Sequence, residues 1–232
     1  MVYVISDLHG FPHDLFLKLL EAAGFCGKDF LYILGDVIDR NGDGGVNTLC
    51  WLLEQPNVQL ILGNHESMLL SCEFLFDEVT DASIDHLSAE KLELLNTYML
   101  NGGKATLDSL RILDKEMQAD ILDYLHEAPL YDAVTVNDTD YLLVHAGLEH
   151  FSPDKKITSY GADELIWKSP RIDEMYYDDI TTVFGHTPTF SYGEAFRGKI
   201  IRTATWIDID TGAGFGEKPV LLRLDDIHEF RL

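Results

Sequence analysis

The chain has 232 residues and a formal net charge of −23, from 40 acidic and 17 basic side chains, which argues against nucleic-acid binding through a basic surface. It contains neither an apolar run of about 18 residues nor a basic and then apolar N-terminal stretch, so no membrane span or secretion signal is predicted. The length of 232 residues predicts a single domain over residues 1–232, and the hydrophobic fraction of 46% is ordinary for a globular protein. The three widely spaced cysteines predict reduced thiols and a cytoplasmic location.

The first 70 residues repeat a strand, a polar turn and a helix. The predicted strands cover residues 2–6, 30–34 and 58–62, and the predicted helices between them cover residues 13–23 and 46–53. This order is typical of βαβ units with a parallel sheet, in which ligands bind beyond the carboxyl ends of the strands. We therefore expect the polar turns to meet in space although they are separated in sequence.

The second half returns to strands after a long helical stretch. Residues 66–127 predict mostly helix, packed beside the sheet and interrupted at 101–103 by Asn-Gly-Gly. Further strands are predicted at residues 141–144, 181–184, 206–210 and 220–224. The first two of these lead directly into His145 and His186.

Five apolar strands thus end in side chains that bind divalent cations. One aspartate after a strand is usually a turn residue, and one histidine is usually structural, but the same placement five times is hard to attribute to turns. Oxygen and imidazole ligands without thiolate favour Mn²⁺, Fe or Zn²⁺ over a structural zinc site. The residues concerned are Asp7 and His9, Asp36 and Asp39, Asn64 and His65, His145, and His186.

These residues lie in blocks that resemble the calcineurin-like metallophosphoesterases, in particular the phosphoprotein phosphatase branch. The blocks are DLHG (7–10), GDVIDR (35–40), GNHE (63–66), HAG (145–147) and GHTP (185–188). NGG followed by Thr106, and DTGAGFG (210–216), are similar to the compact bacterial and phage serine/threonine phosphatases. The resemblance implies an α/β fold, a β-sandwich of two mixed sheets flanked by helices.

The resemblance also implies a role for each residue of the blocks. Two divalent ions are expected, with Mn²⁺ as the first choice and Fe or Zn²⁺ as alternatives, and a hydroxide that bridges them would attack phosphorus in line. His65 would be the general acid, oriented by Asp39, and Arg40 would bind phosphate oxygens. The alternatives are that His65 is a further metal ligand and that Asp39 is a surface acid. The implied ligands are Asp7, His9 and Asp36 for the first ion, and Asp36, Asn64, His145 and His186 for the second.

Two departures from the family pattern stand out. Asn41 follows Arg40 where the family normally has glycine. A second phosphate-binding arginine, expected shortly after a tryptophan, is displaced within LIWKSPRID. Arg171, or failing that Lys168, is the candidate replacement, and a surface role for both is the alternative.

The expected activity is hydrolysis of phosphoserine or phosphothreonine monoesters, in a phosphorylated protein or a small phosphoester. The first alternative is a bis(5'-nucleosyl)-tetraphosphatase-type hydrolase of phosphoanhydrides, and the second is a non-catalytic scaffold. Nothing in the sequence predicts an oligomeric state. The histidines outside the blocks are predicted to lie on the surface: His13, His86, His126, His150 and His228.

Overall fold

Two mixed five-stranded β-sheets form the centre of the fold in the computed structural model, which describes residues 1–76 and 88–232. The first sheet contains β1 (Val2–Ile5), β2 (Phe30–Ile33), β3 (Val58–Leu60), β9 (Leu221–Arg223) and β10 (His228–Phe230). Its order is β10-β9-β1-β2-β3, with β1, β2 and β3 parallel. The antiparallel neighbours β9 and β10 make the sheet mixed.

The second sheet has the same mixed character. It contains β4 (Tyr131–Val136), β5 (Thr139–Val144), β6 (Thr181–Phe184), β7 (Ile201–Arg202) and β8 (Trp206–Asp208). Its order is β4-β5-β6-β8-β7, and β5, β6 and β8 are parallel. The carboxyl ends of these three strands therefore lie along one edge, as do those of β1, β2 and β3.

Seven α-helices flank the sheets in the described part of the chain. They are α1 (His13–Ala22), α2 (Val46–Leu52), α3 (Asn64–Ser71), α4 (Ala89–Leu100), α5 (Lys104–Leu110), α6 (Lys115–Glu127) and α7 (Ala162–Ile166). None of these helices is both long enough and apolar enough to cross a membrane.

The alternation of side chains along β1 shows how the layers pack. Val4 faces the second sheet, in a buried cluster with Leu143 and Val183. Tyr3 and Ile5 point to the opposite face and pack against the helices. Burial on both faces explains why the strand reads as a continuous apolar run in the sequence.

The predicted fold class, two mixed sheets flanked by helices, is confirmed. Residues 66–127 are largely helical where they are described, in α3 to α6. The sequence reading missed α7 and the strands β4, β7 and β10. Strand β4 contains Asp132 and lies at a sheet edge with mostly unburied side chains, so it lacks an apolar run. The predicted third strand was two residues too long, since β3 ends at Leu60.

Candidate active site

The polar ends of five strands meet between the two sheets. Within the first sheet, the Asp7 amide donates to the carbonyl of Gly35, 3.1 Å away. Within the second, the Gly185 amide donates to the carbonyl of His145 at 2.9 Å. A bond between the sheets joins the two edges, because the His186 amide donates to Asp7 Oδ2 at 2.8 Å. The convergence predicted from the sequence is therefore present in the structure.

The backbone at these strand ends is unusual. Ten non-glycine residues in the described part of the chain have positive φ, and six of them belong to the predicted site. Left-handed backbone is costly for such residues and is often retained at functional sites. The six are Asp7, His9, Asp36, Asp39, Arg40 and His186.

Asp36 lies at the centre of the predicted ligand set. Its Oδ2 is 3.6 Å from His9 Nε2, and its Oδ1 is 3.5 Å from His145 Nε2. Asn64 Oδ1 is 2.9 Å from both His145 Nε2 and His186 Nδ1. The two oxygens of Asp36 thus face two separate groups of donors, which is the arrangement a bridging carboxylate needs.

Backbone carbonyls fix which nitrogen each histidine presents to the site. The carbonyl of Ile38 lies 3.0 Å from His9 Nδ1, and that of Leu34 lies 2.7 Å from His145 Nδ1. With Nδ1 donating to these oxygens, Nε2 carries the lone pair and faces Asp36. Metal-binding histidines are commonly oriented in this way.

The electrostatics of the cluster favour a cation. Burial raises the pKa of Asp7 to about 8 and raises the pKa of Asp36 well above its usual value. Burial also lowers the pKa of His9 well below its usual value and that of His186 to about 3, so both imidazoles are neutral. Asp7 Oδ1 is buried and has no hydrogen-bond partner within the described residues. The cost of burying these carboxylates outweighs the nearby positive charges, and these imidazoles have free lone pairs, so the donor set fits divalent metal ions.

His65 and Asp39 form a buried pair beside this cluster. Asp39 Oδ2 lies 2.6 Å from His65 Nδ1. On the other side of the ring, Arg40 Nη2 lies 3.1 Å from His65 Nε2. A guanidinium only donates, so Nε2 accepts here and Nδ1 carries the proton given to Asp39. Burial lowers the pKa of His65, but the carboxylates of Asp36 and Asp39 outweigh it and leave the pKa raised.

The alternative role for His65 retains a geometric basis. His65 Nε2 lies 3.9 Å from Asp36 Oδ2. Together with His9, these two residues form one of the two groups in the described chain that could hold a metal ion. The other group is Asp36, His145 and His186. Asp39 is fully buried, so the alternative of a surface acid is wrong.

The two departures from the family pattern have different structural outcomes. The Asn41 side chain donates to the carbonyl of His9 at 3.0 Å, and so ties its loop to the DLHG turn. Arg171 has a side chain that is 78% exposed, and its Nε lies 3.0 Å from Asp173 Oδ1. Lys168 Nζ lies 3.6 Å from Glu174 Oε1. Since both basic groups contact acidic neighbours on their own loop, a role in phosphate binding stays a prediction.

The sequence reading assigned no role to Glu66, which joins the second and third polar turns. Its carboxylate is fully buried and accepts hydrogen bonds from the amides of Asp36, Val37 and Gly63 at 2.8, 2.8 and 3.2 Å. A signal was present, because a glutamate three residues after a helix N-cap, here Gly63, is typical of the glutamate half of a capping box.

The histidines outside the blocks lie away from this cluster where they are described. His126, His150 and His228 are exposed, as predicted. His13 is only partly exposed, because its ring packs near Trp51 and its Nδ1 lies 3.1 Å from Thr48 Oγ1. His86 lies outside the described residues.

The chain is similar in sequence to proteins that are named as phosphatases. The chain is 27% identical over 215 residues to serine/threonine-protein phosphatase 2 of Escherichia coli K12, covering 91% of this chain and 87% of the relative. It is 30% identical over 148 residues to the symmetrical bis(5'-nucleosyl)-tetraphosphatase of Nitrosomonas europaea, covering 63% of this chain and 44% of that protein.

Solved structures show the same fold at low sequence identity. A protein described as a proposed diadenosine tetraphosphatase superposes with a TM-score of 0.63 at 17% identity, covering 100% of this chain and 92% of the other. A cold-active protein tyrosine phosphatase superposes with a TM-score of 0.55 at 18% identity, covering 100% and 78%. The model of the calcineurin-like phosphoesterase family matches residues 1–210. The chain therefore belongs to the calcineurin-like phosphoesterases.

Proposed function

We propose that this metal-dependent phosphatase hydrolyses phosphoserine and phosphothreonine monoesters. The observation that carries the proposal is the buried pair of His65 and Asp39 beside the ligand cluster. The alkoxide released from serine or threonine is a poor leaving group, so a positioned proton donor speeds its departure. A phosphoanhydride has a good leaving group and needs such a donor less.

The donor set would hold two divalent ions, and we propose Mn²⁺ as the native metal. Asp7, His9 and Asp36 are the proposed ligands of one ion. When bound, the ions supply Lewis-acid chemistry, by neutralising phosphate oxygens and lowering the pKa of water. The proposed ligands of the other ion are Asp36, Asn64, His145 and His186.

Arg40 and His65 have different proposed roles, in phosphate binding and in proton donation. The planar guanidinium of Arg40 suits two parallel hydrogen bonds to phosphate oxygens. Because Arg40 Nη2 lies 3.1 Å from His65 Nε2, a phosphate held by Arg40 would place its leaving oxygen near that nitrogen. Once Arg40 donates to the phosphate instead of to His65, the Nε2 atom is free to take up a proton from water. His65 would then give this proton to the leaving oxygen, while Asp39 keeps the ring oriented through Nδ1.

The relatives support a protein substrate. The alignment with a serine/threonine protein phosphatase covers nearly the whole of both chains. The chain spans less than half the length of the Nitrosomonas tetraphosphatase that it matches.

A dinucleoside polyphosphate is the second candidate substrate, and an exposed ring favours it. Phe215 is 56% exposed, and the Cζ atom of Arg40 lies 4.8 Å from its ring centroid. An aromatic face beside a phosphate-binding arginine offers a stacking surface for a nucleobase.

A direct comparison of substrates tests the proposal. We would measure kcat/KM for a phosphoserine peptide and for diadenosine tetraphosphate on the same Mn²⁺-loaded protein. The proposal expects the peptide to be the better substrate, whereas a large preference for the dinucleotide would favour the second candidate. Inactivity on both substrates, with no metal found by mass spectrometry, would favour the scaffold.

A further inference from the structure

The carboxylate of Asp39 makes two further hydrogen bonds besides the one that orients His65. It is 0% exposed, and its Oδ2 is taken by His65 Nδ1. Its Oδ1 accepts hydrogen bonds from the hydroxyls of Tyr98 at 2.8 Å and Thr106 at 2.5 Å. The Asp39 amide donates to Thr106 Oγ1 at 3.0 Å, so the threonine holds both the backbone and the side chain.

Both hydroxyls act as donors to a charged acceptor. The carbonyl of Gly44 lies 3.1 Å from Thr106 Oγ1 and competes for its proton, but the carboxylate is closer and hydrogen bonds to charged acceptors are stronger. Burial and the neighbouring carboxylate raise the pKa of Tyr98, which keeps its hydroxyl protonated. The Asp39 carboxylate is therefore hydrogen-bonded on both oxygens and lies away from solvent.

The Asn-Gly-Gly turn between α4 and α5 brings these donors to Asp39. A Cβ atom on Gly103 would lie 2.6 Å from the Tyr98 ring, so only glycine permits this approach. Gly102 has φ +100 and its carbonyl accepts from the Arg40 amide at 3.2 Å. The turn thus brings α4 and α5 into contact with the loop that contains Asp39 and Arg40.

We infer that Tyr98 and Thr106 are positioning residues for the proposed reaction, holding Asp39 and through it the general acid His65. The inference rests on the proposed function. Loss of either hydroxyl leaves a buried carboxylate oxygen short of a donor, and the carboxylate can then rotate. His65 loses its fixed orientation, and the step that protonates the leaving oxygen slows.

The matched variants are Tyr98→Phe, Thr106→Val and, as a control, Tyr124→Phe. The Tyr124 hydroxyl on α6 is buried and has no hydrogen-bond partner among the described residues. We would measure kcat and KM on a phosphoserine peptide and on p-nitrophenyl phosphate, with metal content per chain. Tyr98→Phe and Thr106→Val should lower kcat about tenfold on the peptide and less than about twofold on the aryl phosphate, because only the alkoxide needs the acid strongly. KM, metal content and the control should be unchanged.

Equal losses on both substrates, or a loss of metal, would show a purely structural role and overturn the inference. Unchanged kinetics in both variants would overturn it as well. A wild-type protein that hydrolyses neither monoester would instead contradict the proposed function.

A second measurement tests whether Tyr98 and Thr106 position His65, and it does not depend on activity. In Zn²⁺-loaded protein, the His65 Nδ1 proton should give a downfield NMR resonance that disappears in His65→Asn. It should shift in Tyr98→Phe and Thr106→Val but not in Tyr124→Phe. An unshifted resonance in the first two variants would overturn the inference independently of activity.

Discussion

The two candidate phosphate-binding arginines lie in contrasting regions. Arg40 follows a buried strand, its backbone is held by Gly102, and its guanidinium contacts the His65 ring and Phe215. Arg171 lies on the exposed loop after α7, where its guanidinium pairs only with Asp173 among the described residues. The arginine side chain at position 40 is thus held in a partly buried network, whereas the one at position 171 is exposed to solvent with a single acidic partner.

This contrast predicts where substitutions should change the activity strongly. A charge in a partly buried, preorganised network acts through less screening than an exposed ion pair, which is worth about 0–1 kcal/mol. We therefore expect substitutions at the strand ends to change the chemistry, and substitutions in the loop at 167–174 to change affinity slightly.

The largest effect is expected for Asp36→Asn. The amide removes the negative charge that faces both donor groups, so turnover should fall at least about 10³-fold and bound metal should be lost. Turnover with saturating Mn²⁺ and metal content by mass spectrometry check this together. Near-normal activity with two ions per chain would refute the bridging role.

His65→Asn should have a large effect that depends on the substrate. Without a proton donor, we expect a loss of about 10²–10⁴-fold on a phosphoserine peptide. On p-nitrophenyl phosphate, which has a good leaving group, the loss should be less than about tenfold. Measuring kcat/KM of the wild type and the variant on both substrates gives the ratio of the two losses. Equal losses, accompanied by lower metal content, would favour His65 as a metal ligand.

Arg40→Ala should have an intermediate effect on both substrates alike. Charged hydrogen bonds of about 1.5–3 kcal/mol correspond to about 10- to 150-fold in kcat/KM. Arg40→Lys should restore only part of this, because an ammonium lacks the planar fork. A full rescue by lysine would show that charge alone matters here.

The strand ends could be predicted from the sequence because two local signals coincide there. Each apolar run ends directly before a side chain with metal-binding chemistry, and parallel strands bring such ends together. The partners of Asp39 could not be found in this way. Tyr98 and Thr106 lie 59 and 67 residues further along the chain, on helices whose packing direction no local pattern specifies. The NGG turn was visible as a motif, but only the structure shows the close approach that needs it.

The position of the Arg171 side chain could not be predicted from the sequence, since no periodic pattern determines where an exposed side chain on a loop points. There we expect the smallest effect. Arg171→Ala should raise KM for a phosphopeptide about two- to threefold with kcat unchanged. Breaking the exposed ion pair with Asp173 costs Arg171 little free energy, and an exposed contact between Arg171 and the substrate phosphate would in turn contribute little to binding. Asp173→Asn is the matched variant in the opposite sense. By releasing Arg171, it should lower KM slightly, and the combination with Arg171→Ala should cancel that gain. A tenfold rise in KM for Arg171→Ala would instead mean that this arginine reaches the phosphate as strongly as Arg40, and that exposure in the free protein understates what the loop contributes once substrate is bound.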